Sequence, residues 1–150
     1  MQVLLSWLKK YVPISIPPRQ LADRLTMAGI EVSSVEEIGS SWERDKVVVG
    51  QVLKVERHPN ADRLKLATVD IGAEEDITVV CGAPNVSTGQ KIVFAKLGAR
   101  LFNTHSGRIE PLRSANIRGF TSTGLVCSVK ELGIGDAHDG ILVLSGEPEI

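Results

Sequence analysis

Arg57-His58-Pro59-Asn60-Ala61-Asp62-Arg63-Leu64-Lys65 is a polar elbow between two apolar, β-branched runs, Lys46 to Glu56 upstream and Leu64 to Ile71 downstream. Pro59 cannot donate to a β-ladder, and Asn60 and Asp62 favour backbone turns. The chain is therefore expected to leave one strand here and enter the next. Arg57, His58, Arg63 and Lys65 crowd the corner with donors suited to phosphate. A turn alone has no need of so many.

Working outward, strands dominate. The upstream run carries Gly50 at its middle, a position that implies a sharp bend or the close approach of another backbone. Asp76 to Cys81 reads as a third strand, joined to the second by a short connection in which Gly72 supplies the positive φ. The turn-rich loop Gly82 to Gly89 leads to a fourth strand, Gln90 to Lys96. Gly98 to Gly119 reads as a strand, a turn near Ser106-Gly107 and a returning strand through Ile117. Thr123 to Cys127 is a short apolar run, and Ser128-Val129-Lys130-Glu131 matches the capping box that starts a helix, with Gly133 to end it after about one turn. Ile141 to Leu144 is the last expected strand. Many short strands, a bent first strand and few helices point to a mainly β fold, a five-stranded oligonucleotide-binding (OB) barrel with an α+β appendage.

The appendage is residues 1–39, and the barrel domain is residues 40–150. Val3, Leu4, Trp7, Leu8 and Tyr11 fall at helical spacing, with Ser6 as a cap and Pro13 as a stop. Pro17-Pro18 opens a second helix with Leu21, Leu25 and Ala28 on one face, and Gly29 suits its left-handed end. Ile30 to Ile38 follows as an extended strand-like run, and Gly39-Ser40-Ser41-Trp42 as a hinge. Two short helices and one strand bury little by themselves, so the unit is expected to need a partner surface.

Charge narrows the function classes. A formal charge of −1 leaves no global basic field of the kind that dominates tight nucleic-acid binders. The distribution is uneven, however. Arg100, Arg108, Arg113 and Arg118 share a segment whose only acid is Glu110, whereas the chain after Lys130 carries only acids. A polyanion would meet the middle of the chain. Cys81 and Cys127 sit in separate apolar runs, read as reduced core thiols, with no metal-ligand spacing around them. The first residues have their charges in the wrong order for a signal peptide and are too short to span a membrane, so a cytoplasmic protein is expected.

No catalytic residue and no metal or cofactor site is expected. Cys127, His138 and Asp139 have the residue types of a thiol triad, but triads are defined by geometry, and these three read instead as a core thiol and a polar loop before the last strand. No glycine-rich phosphate loop follows a strand. Single-strand binders on barrels combine basic grooves with exposed aromatics. The basic residues are present, while Phe102 and Phe120 are the only aromatics outside core positions. On composition alone, scattered Lys and Arg on a solvated face are the better explanation of the charges.

The motifs decide further. Arg57 to Leu64, then Val80-Cys81-Gly82-Ala83-Pro84-Asn85-Val86, then Ser122-Thr123-Gly124-Leu125-Val126-Cys127-Ser128, then Lys130-Glu131-Leu132-Gly133 follow one another in order. Together they resemble the tRNA-binding domain of the bacterial-type phenylalanyl-tRNA synthetase beta-subunit family. Ser6 to Val12, Leu25 to Val32 and Asp136 to Leu142 resemble the flanking parts of that region, and the likeness covers nearly the whole chain. The family's frequent methionine after the S-x-G glycine is Leu125 here, a small hydrophobic change.

The resemblance implies a barrel inserted into the amino-terminal α-β unit, in a chain that is an amino-terminal fragment of a subunit of phenylalanine–tRNA ligase. It implies tRNA, the alpha subunit and the remainder of the beta subunit as partners. ATP and magnesium belong to the whole enzyme, with the reaction on the alpha subunit and this fragment inert. Carried onto this sequence, it makes Arg57, His58, Asn60, Arg63 and Lys65 the first RNA contacts, followed by Asn85 and Ser122. Arg113, Arg118 and Lys130 join them by charge and position. Two other readings stay open here: a structural module of the synthetase with little RNA contact, and a stand-alone tRNA-binding protein, against which the unfinished residues 1–39 argue.

Overall fold

The computed structural model describes residues 2–39 and 42–144. It divides into two compact units, residues 1–38 and 39–150. Ser40 and Ser41 of the expected hinge, and Glu147 and Glu149 of the acidic end, lie outside the described residues.

In the first unit, α1 is a single turn, Leu5–Leu8, entered through Leu4, so Ser6 lies inside it and caps nothing. α2, Pro18–Met27, starts with proline at its first turn, where a missing N–H costs nothing. It ends in a full Schellman motif. Gly29 takes φ +91°, its N–H reaches Thr26 O, and Ile30 N–H reaches Leu25 O at 2.9 Å. The Thr26 hydroxyl then accepts the Val32 N–H at 3.2 Å, which steers the chain away from the helix. Ile30 to Ile38 joins no β-ladder among the described residues and ends in a turn at Ile38, contrary to the expected strand. The apolar residues Ile30, Val32, Val35 and Ile38 do not alternate throughout, and a strand also needs a hydrogen-bonding neighbour. None of the described residues of this unit is fully buried, and Trp7, Tyr11, Met27 and Ile30 are exposed.

The second unit is a five-stranded antiparallel sheet in the order β3-β2-β1-β4-β9: β1 Val47–Arg57, β2 Lys65–Asp70, β3 Ile77–Cys81, β4 Lys91–Lys96 and β9 Gly124–Val126. β1 is long enough to pair with β4 through its first half and β2 through its second. The change of partner occurs where β1 bends. Gly50 lets Val69 and the Asp70 carbonyl come close, for a Cβ there would lie 2.6 Å from Val69 Cγ1 and 3.2 Å from Asp70 O. A register shift between Val52 and Lys54 adds further curvature. The sheet thereby curls until its two edge strands, β3 and β9, lie side by side in a nearly closed, OB-like barrel. Phe94, Ile92, Val52, Val69 and Val79 fill the interior without exposure, and Gly124 faces the Phe94 ring because no Cβ would fit there.

Three sequence-level boundaries move. The strand returning after Gly107 stops at Pro111: β5 Arg100–Asn103 pairs with β6 Arg108–Pro111, and a separate hairpin follows, β7 Ala115–Ile117 with β8 Phe120–Ser122. The pairing runs one residue past Pro111, with Leu112 N–H to Ala99 O and Gly98 N–H to Leu112 O at 2.8 Å each, and the next hairpin then forms about the Arg118-Gly119 turn. The capping box forms, with Ser128 N–H to Glu131 Oε2 at 2.7 Å, yet Gly133 stops the chain after hydrogen-bonded turns and no α-helix develops. Ile141 to Leu144 makes one bridge, Val143 to Ile92, in place of a strand.

Candidate nucleic-acid interface

The elbow between β1 and β2 is closed by the His58 N–H to Leu64 O bond at 3.0 Å. His58 itself is buried, at 4% exposure. Its Nδ1 accepts the Asn60 N–H at 3.1 Å, and its Nε2 lies 3.1 Å from the Ile117 carbonyl. An amide can only donate and a carbonyl only accept, so the ring is the neutral tautomer with its proton on Nε2. Asn60 adds a second tie, its Nδ2 donating to Arg118 O at 3.1 Å. The elbow is thereby locked to the tip of the β7–β8 hairpin.

That tip has a built shape. Arg118 and Gly119 have φ of +54° and +88°, the two positive values of a type I′ turn, and the Asn116 side chain accepts the Gly119 N–H at 3.1 Å. Arg118 is the only non-glycine with positive φ among the described residues. Its side chain, like those of Arg57 and Arg63, is exposed and makes no ion pair among the described residues. Lys54, by contrast, is occupied by Glu56 at 2.8 Å.

Lys65 extends the corner to the next loop. Its Nζ donates to Pro84 O at 3.0 Å and Val86 O at 3.4 Å, the carbonyls on either side of Asn85. Asn85 clasps the chain near its end: Nδ2 donates to Ile141 O at 3.0 Å, and Oδ1 accepts Ile141 N–H at 2.9 Å. Ser122 is buried, its hydroxyl accepting the Val80 N–H at 3.2 Å and donating to Gly124 O at 3.1 Å. It therefore stitches β3 to β9 across the seam of the barrel.

The ten residues singled out from sequence thus separate. Arg57, His58, Asn60, Arg63, Lys65 and Arg118 form one corner, to which Asn85 is joined through the Lys65-bound loop. Arg113, exposed between β6 and β7, and Lys130, half-buried in the turn after β9, have no hydrogen bond to it among the described residues. Of the corner, the three guanidinium groups make no hydrogen bond or ion pair among the described residues. His58, Asn60 and Lys65 hold the chain in place. Ile117 escaped sequence reasoning because it contributes a main-chain carbonyl, which carries no residue signature.

Both thiols are buried. Burial pushes the Cys127 pKa up to about 12, with the Glu131 carboxylate adding to it, and burial likewise raises Cys81. His138 and Asp139 are exposed and neither bonds Cys127 among the described residues, so no triad is assembled. Among the described residues no group of three or more His, Cys, Asp or Glu could hold a metal ion, and no helix is long and apolar enough to cross a membrane.

Residues 47–150 match the family described as "Putative tRNA binding domain". This chain belongs to that family. Over 147 residues it is 49% identical to the phenylalanine–tRNA ligase beta subunit of Dehalococcoides mccartyi (strain CBDB1), covering 98% of this chain and 18% of that protein. It is 40% identical over 151 residues to the same-named subunit of Porphyromonas gingivalis, covering 100% of this chain and 18% of the relative. The chain thus spans less than a fifth of the curated relatives it matches, at their amino-terminal part. The C-terminal domain of Plasmodium vivax p43, a crystal structure, aligns at 20% identity with a TM-score of 0.49, covering 77% of this chain and 59% of that one.

Proposed function

We propose that this tRNA-binding domain works as the non-catalytic RNA-holding region of a phenylalanine–tRNA ligase beta subunit, and that it meets tRNA through the Arg57–Arg63–Arg118 corner. The observation that carries this is the state of the three guanidinium groups: exposed, unpaired among the described residues, and set on a corner that His58 and Asn60 lock to a hairpin tip. Arginine in such positions binds phosphate oxygens through paired donors. The corner is also where OB barrels present the loop between their first two strands and the loop before their last.

Within the whole enzyme, ATP and magnesium act at a site outside this chain, on the alpha subunit, and the barrel holds tRNA for attachment of phenylalanine in the cytoplasm. Residues 1–39 form a unit that the remaining beta subunit completes, and 40–150 the tRNA-binding domain. Asn85, Ser122 and Lys65 serve the barrel by their internal bonds, which supports a largely structural role for the 82–90 loop and the seam. Arg113 and Lys130 extend the RNA path on charge alone.

Titration of the isotope-labelled 150-residue chain with tRNA at low salt, followed by NMR, tests the reading. Shifts are expected at Arg57 to Lys65 and Ile117 to Gly119. A titration that leaves those amides unmoved removes the corner from any RNA site and leaves a purely structural module.

A further inference from the structure

His58 is the one buried histidine among the described residues, and both of its ring nitrogens are spent on main chain. Nε2 donates to the Ile117 carbonyl of the β7–β8 hairpin, and Nδ1 accepts the Asn60 N–H of the elbow, each at 3.1 Å. An imidazolium carries a proton on both nitrogens. It can keep the first bond but not the second, where one N–H would face another. We propose that His58 is a proton-sensitive latch: the neutral ring closes the elbow on the hairpin tip, and acidification opens it and weakens RNA binding at the Arg57–Arg63–Arg118 corner. The proposal rests on the RNA-binding reading above, whose site it regulates.

The two bonds of the ring lead to the rest of the lock. The Asn60 amide that loses its acceptor belongs to the residue whose side chain ties the elbow to Arg118 O at 3.1 Å. Releasing the Asn60 main chain therefore loosens that second tie as well. Arg118 holds φ at +54°, a conformation that costs a non-glycine residue free energy and persists only while its surroundings fix it. The charged groups around the ring offer an added proton no partner. From the elbow and the ends of its strands they are Glu56, Arg57, Asp62, Arg63 and Lys65, and from the hairpin tip Arg118. Glu56 is paired with Lys54 at 2.8 Å, Asp62 is exposed, and the others are cations. None of them bonds the ring among the described residues.

The expected direction is opposite to that of bulk electrostatics. The guanidinium groups stay protonated at any pH near neutrality. His105 and His138 are both exposed and gain positive charge on acidification, which by itself draws RNA closer. Charge alone thus gives tighter binding at low pH, and the latch gives weaker binding. A corner that is closed for only a fraction of the time binds with its affinity reduced by that fraction.

The test measures the tRNA affinity of the 150-residue chain by fluorescence anisotropy at one ionic strength. The two conditions are about pH 7.5 and about pH 5.5, the span over which an ordinary imidazole changes charge. Affinity is expected to fall about three- to tenfold at the lower pH, the weight of one hydrogen bond. Over the same interval, ring nitrogen shifts should report the proton arriving on His58 Nδ1. Amide-exchange protection of Ile117, Arg118 and Gly119 in the RNA-free chain should drop with it. In His58→Gln the side-chain amide supplies a donor for the Ile117 carbonyl and takes up no proton, so the fall should vanish whatever the affinity at the higher pH. Binding that is unchanged or tighter at the lower pH overturns the proposal, as does a fall of equal size in His58→Gln. Should that variant not fold, the ring and amide signals of the unaltered chain decide. A ring that stays neutral throughout, or that gains its proton while those amides stay protected, overturns the latch. If tRNA shifts the elbow amides with equal affinity at both pH values, the latch fails and the RNA-binding reading stands. If it shifts them at neither, both fail.

Discussion

Ser122 carries a motif hydroxyl whose bonds lie inside the fold. Its hydroxyl satisfies the Val80 N–H and the Gly124 carbonyl where two edge strands meet without a ladder. Ser122→Ala leaves a buried amide unpaired and is expected to lower stability by about 1–3 kcal/mol, read from urea unfolding, with the tRNA-induced shifts at the elbow retained. An equal loss of stability and of elbow response would instead place the hydroxyl at the RNA. Cys127 makes a second prediction. Its folded pKa lies near 12, against 9.0 for the free thiol, so the unfolded chain loses its proton first as pH rises. The thiol's contribution is therefore fully present below pH 9 and lost as pH climbs toward 12. Denaturation midpoints should fall across that window and fall less steeply in Cys127→Ala.

At the scale of elements, the β7–β8 hairpin is the part that sequence reading placed incorrectly. From sequence, one returning strand through Ile117 is expected after the turn near Ser106-Gly107. Proline cannot donate to a ladder, and the positive φ at Arg118 and Gly119 starts a new two-residue turn. The signal at Arg118-Gly119 was weak in sequence, since arginine is not a usual left-handed residue. Its strain is offset by the Asn60 and Asn116 bonds on either side. Asn60→Ala should therefore loosen the hairpin tip, seen as faster amide exchange at Ile117 to Phe120. Unchanged protection there would mean that His58 alone holds the two elements together. The Ile141–Leu144 segment docks by the Asn85 clasp, one bridge and two main-chain bonds, Leu142 N–H to Cys127 O and Leu144 N–H to Lys91 O, without forming a strand.

Across the whole molecule, the two compact units differ in what they bury. All the fully buried residues among those described belong to the barrel unit. Deleting residues 1–38 should accordingly shift the barrel's thermal midpoint by less than about 4 °C, the change that roughly 1 kcal/mol produces in a domain of this size. A larger drop would show that the first unit stabilises the barrel. Near-neutral charge sets the character of RNA binding. With three free arginines, the logarithm of the binding constant should fall against the logarithm of salt with a slope of about −2 to −3, and Arg57→Ala should reduce it by about 1. A slope near zero would rule out phosphate as the main ligand.

The sequence by itself determined the first four barrel strands, the bend at Gly50, the end of α2 at Gly29 and the elbow, because each depends on local periodicity, a missing Cβ or a missing N–H. It also determined the family, since four ordered motifs survive any uncertainty in their packing. Only the tertiary structure decided which polar residues of those motifs are spent inside the fold. His58, Asn60, Lys65, Asn85 and Ser122 all bond to main chain that lies 2 to 59 residues away, and a main-chain partner has no residue type to recognise. The free guanidinium groups of Arg57, Arg63 and Arg118 are what remains when those bonds are made.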